Sequence, residues 1–190
     1  MSDDETMKHQ IQMLTDRQQI YDCLVRYCRG IDRLDRELLL SAYHPDAIDD
    51  HGFFVGNPEE FADFFFSFHR DNQHGTSHII SNHYVELEGD IAHCETYWTY
   101  AGMNAYEPEL TMMGGRYVDR MERRAGGWGI ASRKCLVDWW GEPGDTGLTP
   151  EVMEMLKGAG TVGRDRNDSS YQRPLAIPRE RQENPPQNQS

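Results

Sequence analysis

The run Ser77-His78-Ile79-Ile80-Ser81-Asn82-His83-Tyr84-Val85-Glu86-Leu87, then Glu88-Gly89-Asp90, then Ile91-Ala92-His93-Cys94-Glu95-Thr96-Tyr97-Trp98-Thr99-Tyr100, decides the fold. Its second half alternates: Ala92, Cys94, Thr96, Trp98 and Tyr100 fall on one side of an extended chain. A period of two marks a strand with one buried face. Glu88-Gly89-Asp90 is a tight turn that folds the two runs into an antiparallel hairpin. The pattern recurs downstream, where residues 110–123, the turn Ala125-Gly126-Gly127 and residues 128–140 read as a second hairpin.

Upstream of this meander the period changes from two to that of a helix. Ile20, Leu24, Tyr27 and Ile31 recur at helical spacing, with a predicted start at Thr15-Asp16, where Asp16 caps and Gln19 follows three residues later. Gly30 weakens the end of that helix. Asp35 caps a second helix over residues 36–43, which His44-Pro45 stops. Residues 47–55 read as strands around Gly52. Asn57-Pro58-Glu59-Glu60 opens a helix rich in phenylalanine, with Phe61, Phe64, Phe65, Phe66 and Phe68. Helices first and long strands afterwards predict an α+β domain. Its N-terminal helices pack on one face of a curved antiparallel sheet and enclose an apolar pocket.

The expected organisation is a flexible N-terminus over residues 1–15, a folded domain over 16–141 and a C-terminal extension over 142–190. In the extension, residues 149–157 read as a short helix and residues 182–190 as disordered. Residues 171–177 hold several apolar groups, suited to docking on their own domain or on a neighbouring subunit.

The formal net charge is -13, with no run of Lys and Arg, which argues against a nucleic-acid partner. No stretch approaches the ~20 apolar residues that cross a membrane. Met1-Ser2-Asp3-Asp4-Glu5 has no apolar signal core, so the expected location is cytoplasmic. Cys23, Cys28, Cys94 and Cys135 form no Cys-x-x-Cys pair and read as small buried side chains.

Two residues carry the chemistry if they meet. Asp32 follows the apolar helix face and reads either as a surface residue of its turn or as a carboxylate at a pocket mouth. His78 opens the first long strand and reads either as a core histidine or as a proton carrier. Held by a carboxylate at one ring nitrogen, an imidazole takes or gives a proton at the other, with neither metal nor cofactor. Tyr27 reads as core packing or as a hydrogen-bond donor to a substrate oxygen. Arg133 is either paired in the interior or exposed on the outer face, and a guanidinium inside must meet a carboxylate or a developing oxyanion. Asp50 and His51 are adjacent on a strand and point to opposite faces, which disfavours a shared metal and leaves one of them facing the pocket. They join Tyr43, Trp98, Met113 and Trp139 as candidates for substrate contact.

In order along the chain, Tyr27-x-x-x-x-Asp32, Tyr43-His44-Pro45-Asp46-Ala47, Asp50-His51-Gly52, Ser77-His78, and Gly127-Trp128 leading to Arg133 resemble the SnoaL-like branch of the nuclear transport factor 2-like superfamily. The resemblance runs from about Asp16 to Trp140. It implies a cone-like α+β barrel with an apolar ligand at its open end and a homodimer or homotrimer. It also implies kinship with the scytalone dehydratase, bile-acid 7α-dehydratase and dehydrochlorinase group, whose Asp–His pair matches Asp32 and His78. The tyrosine of the bile-acid enzyme matches Tyr27, and a late-strand arginine matches Arg133. The implied function is a cofactor-independent lyase, a dehydratase of apolar aromatic or steroid-like alcohols. The family also holds polyketide cyclases and non-catalytic small subunits of ring-hydroxylating dioxygenases, so an isomerase or cyclase and a non-catalytic subunit or ligand-binding protein are the alternative readings. The fold alone does not choose among these.

Overall fold

The structure is a computed structural model and describes residues 3–144, 149–152 and 163–175. The chain divides into two units, Met1–Pro143 and Gly144–Ser190.

The first unit is α+β, a six-stranded curved sheet that does not close, with helices on one face. Helix α1 spans Asp3–Asp32, α2 Arg36–Leu40 and α3 Pro58–Asn72. The strands are β1 Tyr43–Asp50, β2 Val55–Gly56, β3 Gln73–Glu88, β4 Ile91–Asn104, β5 Leu110–Arg124 and β6 Gly127–Gly141. The sheet order is β2-β1-β6-β5-β4-β3. Both expected hairpins form, and β3 to β6 pair in sequence as an antiparallel meander. The expected all-antiparallel sheet is corrected at one seam, because β1 runs parallel to β6. As expected from Asn57-Pro58, α3 lies between β2 and β3 in the chain.

Helix α1 begins at Asp3 rather than at Asp16. Of the residues expected as a flexible lead-in, 3–15 form its exposed first turns. Asp3, Asp4 and Glu5 suit the positive end of the helix dipole there, and Lys8 pairs with Asp4 at 2.7 Å. Asp16 is therefore no cap. It is a buried mid-helix carboxylate that accepts hydrogen bonds from Arg123 Nη1 at 2.8 Å and Trp128 Nε1 at 2.9 Å. Below it Ile20, Cys23, Leu24, Tyr27, Cys28 and Ile31 form the buried face.

Gly30 marks a close approach more than a weak end. A Cβ there would come within 2.5 Å of the Leu39 backbone nitrogen, so α2 can pack against α1 only over a bare glycine. Asp35 caps α2 as expected, accepting from Leu38 N at 3.2 Å. The helix stops at Leu40, and Tyr43-His44-Pro45 starts β1 instead of ending a helix. Asn57 heads α3 with a full capping box, its side chain accepting from Glu60 N and the Glu60 side chain accepting from Asn57 N.

The core sits between the helices and the inner face of the sheet. It includes Phe61, Phe65 and Phe66 of α3, each contributing about 1.5–3 kcal/mol by burial. Three cysteines are buried and Cys135 is half-buried, and all four are free thiols.

In the second unit Thr149 Oγ1 accepts from Val152 N at 3.4 Å, at the expected helix start. The rest of that expected helix, residues 153–157, lies outside the described residues. A 3-10 turn at Ser169–Tyr171 is capped by Asp168. The tail at 182–190 and the last two residues of the expected docking segment 171–177 also lie outside the described residues.

Candidate active site

Helix α1 ends at Asp32 because the chain leaves it through a left-handed residue, Leu34, at φ 50°. Asp35 N bonds back to Gly30 O at 2.9 Å. That turn holds the carboxylate of Asp32 against the start of β3. There Asp32 accepts from His78 twice, from the backbone nitrogen at 2.9 Å and from ring Nδ1 at 2.7 Å. The two bonds fix the ring orientation and place the proton on Nδ1, leaving Nε2 for the other side of the ring. The side chains are 14% and 10% exposed. His78 stands opposite Tyr100 on β4, with ring centroids 5.0 Å apart, and Tyr27 lies edge-on to it at 6.4 Å.

His78 lines a cavity of about 290 Å³ between the helices and the sheet. Its walls are aromatic: Tyr27 from α1, Phe61, Phe65 and Phe68 from α3, Trp98 and Tyr100 from β4, Tyr117 from β5. Met113, Cys135 and Val137 supply the rest of the sheet side. Burial pushes the Cys135 thiol up to about 12, so it stays a neutral apolar lining group. Burial also pushes the Tyr27 and Tyr117 hydroxyls well up, so both remain protonated and able to donate.

Tyr27, His51, His78, Trp98 and Met113 among the expected residues line this cavity. Asp32 stands behind His78. Four expected residues lie elsewhere, each for a physical reason. Asp50 points to the opposite sheet face, bonding the Gly52 backbone at 2.8 Å and sitting 3.9 Å from Lys134. Tyr43 is buried behind the wall, where its hydroxyl donates to Asp49 at 2.5 Å. Trp139 is 47% exposed. The alternation Arg133, Cys135, Val137 breaks there, because β5 pairs Gly115 with Val137 and the adjacent Gly114 with Trp139. That bulge turns Trp139 out of the wall and over Gly114, a position only a glycine can hold beneath the indole.

Arg133 is enclosed, not exposed on the outer face. Its Nε and Nη2 donate to the two Asp119 oxygens at 2.8 Å each, with both side chains 0% exposed. The guanidinium lies between two rings, 4.2 Å from the Tyr27 centroid and 4.1 Å from that of Tyr117. Burial alone pulls its pKa down, but the Asp119 charge outweighs that and holds it well above the ordinary value. Arg133 thus supports the cavity floor through the two tyrosines and does not itself line the cavity.

Sequence reasoning missed a second carboxylate–imidazole pair. Asp49 is fully buried and accepts from His51 Nδ1 at 2.5 Å. Spacing carries the signal, since residues two apart on a strand share a face and Asp49-x-His51 has that spacing. It also missed a buried polar chain on the cavity wall, in which His69 Nδ1 meets Gln73 Oε1 at 2.5 Å and Gln73 Nε2 reaches Asn104 Oδ1 at 3.1 Å. No group of three or more metal-ligating side chains occurs among the described residues, and no described helix is long and apolar enough to cross a membrane.

The model of the SnoaL-like domain matches residues 12–134. No curated protein matches the chain. Among solved structures, it is similar to the hexachlorocyclohexane dehydrochlorinase LinA-type3 of Novosphingobium barchaimii, at 19% identity and TM-score 0.67. The match covers 74% of this chain and 99% of that one. A candidate scytalone dehydratase from Novosphingobium aromaticivorans gives 16% identity and TM-score 0.63, over 72% of this chain and 93% of the other. The Kfla4162 protein of Kribbella flavida gives 18% and 0.63, over 68% and 95%.

Proposed function

The chain belongs to the SnoaL-like domain family, in the nuclear transport factor 2-like superfamily, and from that premise we propose that it is a cofactor-independent lyase. It removes water by β-elimination from an apolar aromatic alcohol. The observation that carries this is the His78–Asp32 bond of 2.7 Å on a ring that lines an aromatic cavity. His78 Nε2 takes a proton from carbon. Asp32 holds the ring in register and stabilises its charged form. Tyr27, kept protonated by burial, donates to the oxygen on which negative charge builds. Such acid–base transfer is worth about 10²–10⁴-fold.

Cavity size narrows the substrate. At about 290 Å³ it lies at the small end of ligand sites, which run from roughly 300 to 1,000 Å³, and favours one or two fused rings over a steroid. The dehydrochlorinase and the candidate scytalone dehydratase among the similar structures agree with an elimination. The chain acts in the cytoplasm as a homodimer or homotrimer, which size-exclusion chromatography with light scattering tests.

The test is to incubate the purified chain alone with a panel of aromatic and steroidal alcohols and weigh the products. Loss of water supports the lyase, and a product of unchanged mass replaces it with an isomerase or cyclase. No conversion across the panel, with activity appearing only beside a larger partner, replaces it with a non-catalytic subunit.

A further inference from the structure

The cavity contains a second imidazole built like the first. Asp49 and Asp32 stand on different elements, at the end of β1 and the end of α1, yet each accepts from the Nδ1 of a cavity-lining histidine. The match extends to access, with the His51 and His78 side chains 12% and 10% exposed. Asp49 is held more tightly than Asp32. Its second oxygen takes the Tyr43 hydroxyl at 2.5 Å, and nothing of it reaches solvent. A carboxylate so enclosed is costly unless it is hydrogen-bonded, and the bonds that satisfy Asp49 also lock one ring. His51 lies 5.1 Å from both Phe61 and Phe65, and His78 lies 6.4 Å from Tyr27, which in turn packs on Phe61 at 6.0 Å. The two rings therefore flank one aromatic wall.

We propose that Asp49–His51 is the second half of the catalytic apparatus, with His51 as the general acid that protonates the departing oxygen. This rests on the elimination reading above. His78 Nε2 takes the proton from carbon. The C–H electron pair becomes the new C=C bond, and the C–O pair leaves with the oxygen. His51 enters the step as the imidazolium, its Nδ1–H held by Asp49, and gives that oxygen the proton on Nε2, and water departs. The cycle ends with His78 charged and His51 neutral, and exchange with solvent restores both. Asp49 is a positioning residue that acts through His51, and Tyr43 orients Asp49.

Leaving-group dependence tests it. The probes are 4-hydroxy-4-phenylbutan-2-one and its acetate ester, which both yield 4-phenylbut-3-en-2-one, read by its ultraviolet absorbance. Hydroxide needs protonation to leave and acetate does not. With His51→Gln, kcat on the alcohol falls ~10²-fold further than kcat on the acetate, the size of one acid–base contribution. Asp49→Asn shows the same split. With His78→Gln, both probes fall together, because both need the base. Each ratio is taken on a single preparation, so a misfolded fraction cancels. Equal losses on the two probes in both His51→Gln and Asp49→Asn, or no loss on the alcohol in either, overturn the proposal and leave the His78 assignment standing. Product from neither probe with the wild-type chain overturns the elimination reading and this proposal with it.

Discussion

Two pairs of a carboxylate with a nitrogen donor lie on either side of Tyr27. Asp32 and His78 meet at the cavity wall, 2.7 Å apart and slightly open to solvent. Asp119 and Arg133 meet behind it, doubly bonded at 2.8 Å and fully closed. In each a carboxylate accepts from nitrogen, but access differs. A pair with a free nitrogen on a cavity can exchange a proton with a guest. A pair sealed between two rings can only hold those rings in place. Buried pairs of the second kind rarely add net stability over an apolar replacement, but breaking one strands a charge.

The strongest way to break this comparison is to remove one partner from the open pair. Asp32→Asn and His78→Ala should each cut turnover about 10²–10⁴-fold, while urea unfolding midpoints stay near wild type. A large loss of stability, or turnover near wild type, would put Asp32–His78 in the structural class. The sealed pair should behave the opposite way. Arg133→Ala should cost about 3–5 kcal/mol in urea denaturation, and the double replacement Asp119→Leu with Arg133→Met should recover most of it. Tyr27→Phe sits between the two. Keeping the ring preserves the stacking on Arg133, while losing the hydroxyl should slow turnover about tenfold, the worth of one hydrogen bond. The smallest effect belongs to a third setting. Arg36 bridges Glu59 and Asp63 at the surface between α2 and α3, and Arg36→Ala should change stability by no more than about 1 kcal/mol in the same measurement.

How much of this was legible in the sequence follows from how local each signal is. The turns at Glu88-Gly89-Asp90 and Ala125-Gly126-Gly127 and the caps at Asp35 and Asn57 are decided within a few residues, and all four are present. Asp16 looks like a cap to a local reading. The partners that bury it, Arg123 and Trp128, lie more than a hundred positions away, and no window around Thr15 contains them. The parallel pairing of β1 with β6 is invisible for the same reason. At the site, chemistry singled out Asp32 and His78 and the resemblance supported their pairing, since nothing local joins a helix end to a distant strand start. Asp49 is found by alternation, which joins 49 to 51 on one side of the chain, whereas adjacency joins Asp50 to His51. Trp139 was misplaced by the same alternation carried through a bulge that shifts register.

The parallel seam between β1 and β6 bears on the order in which the protein assembles. β3 to β6 can zip up hairpin by hairpin, each strand meeting one made just before it. β1 cannot. It is synthesised early, and Tyr43 must wait for Ile130 before its edge is covered. Long-range closure of this kind is slow, and it leaves a bare strand in the growing chain. β1 also carries Asp49 and leads directly into His51. A ribosome-bound chain lacking β6 would therefore hold His78 on a folded hairpin, with Asp32 at the end of α1 to meet it, and leave Asp49 on an uncovered strand and His51 just beyond it.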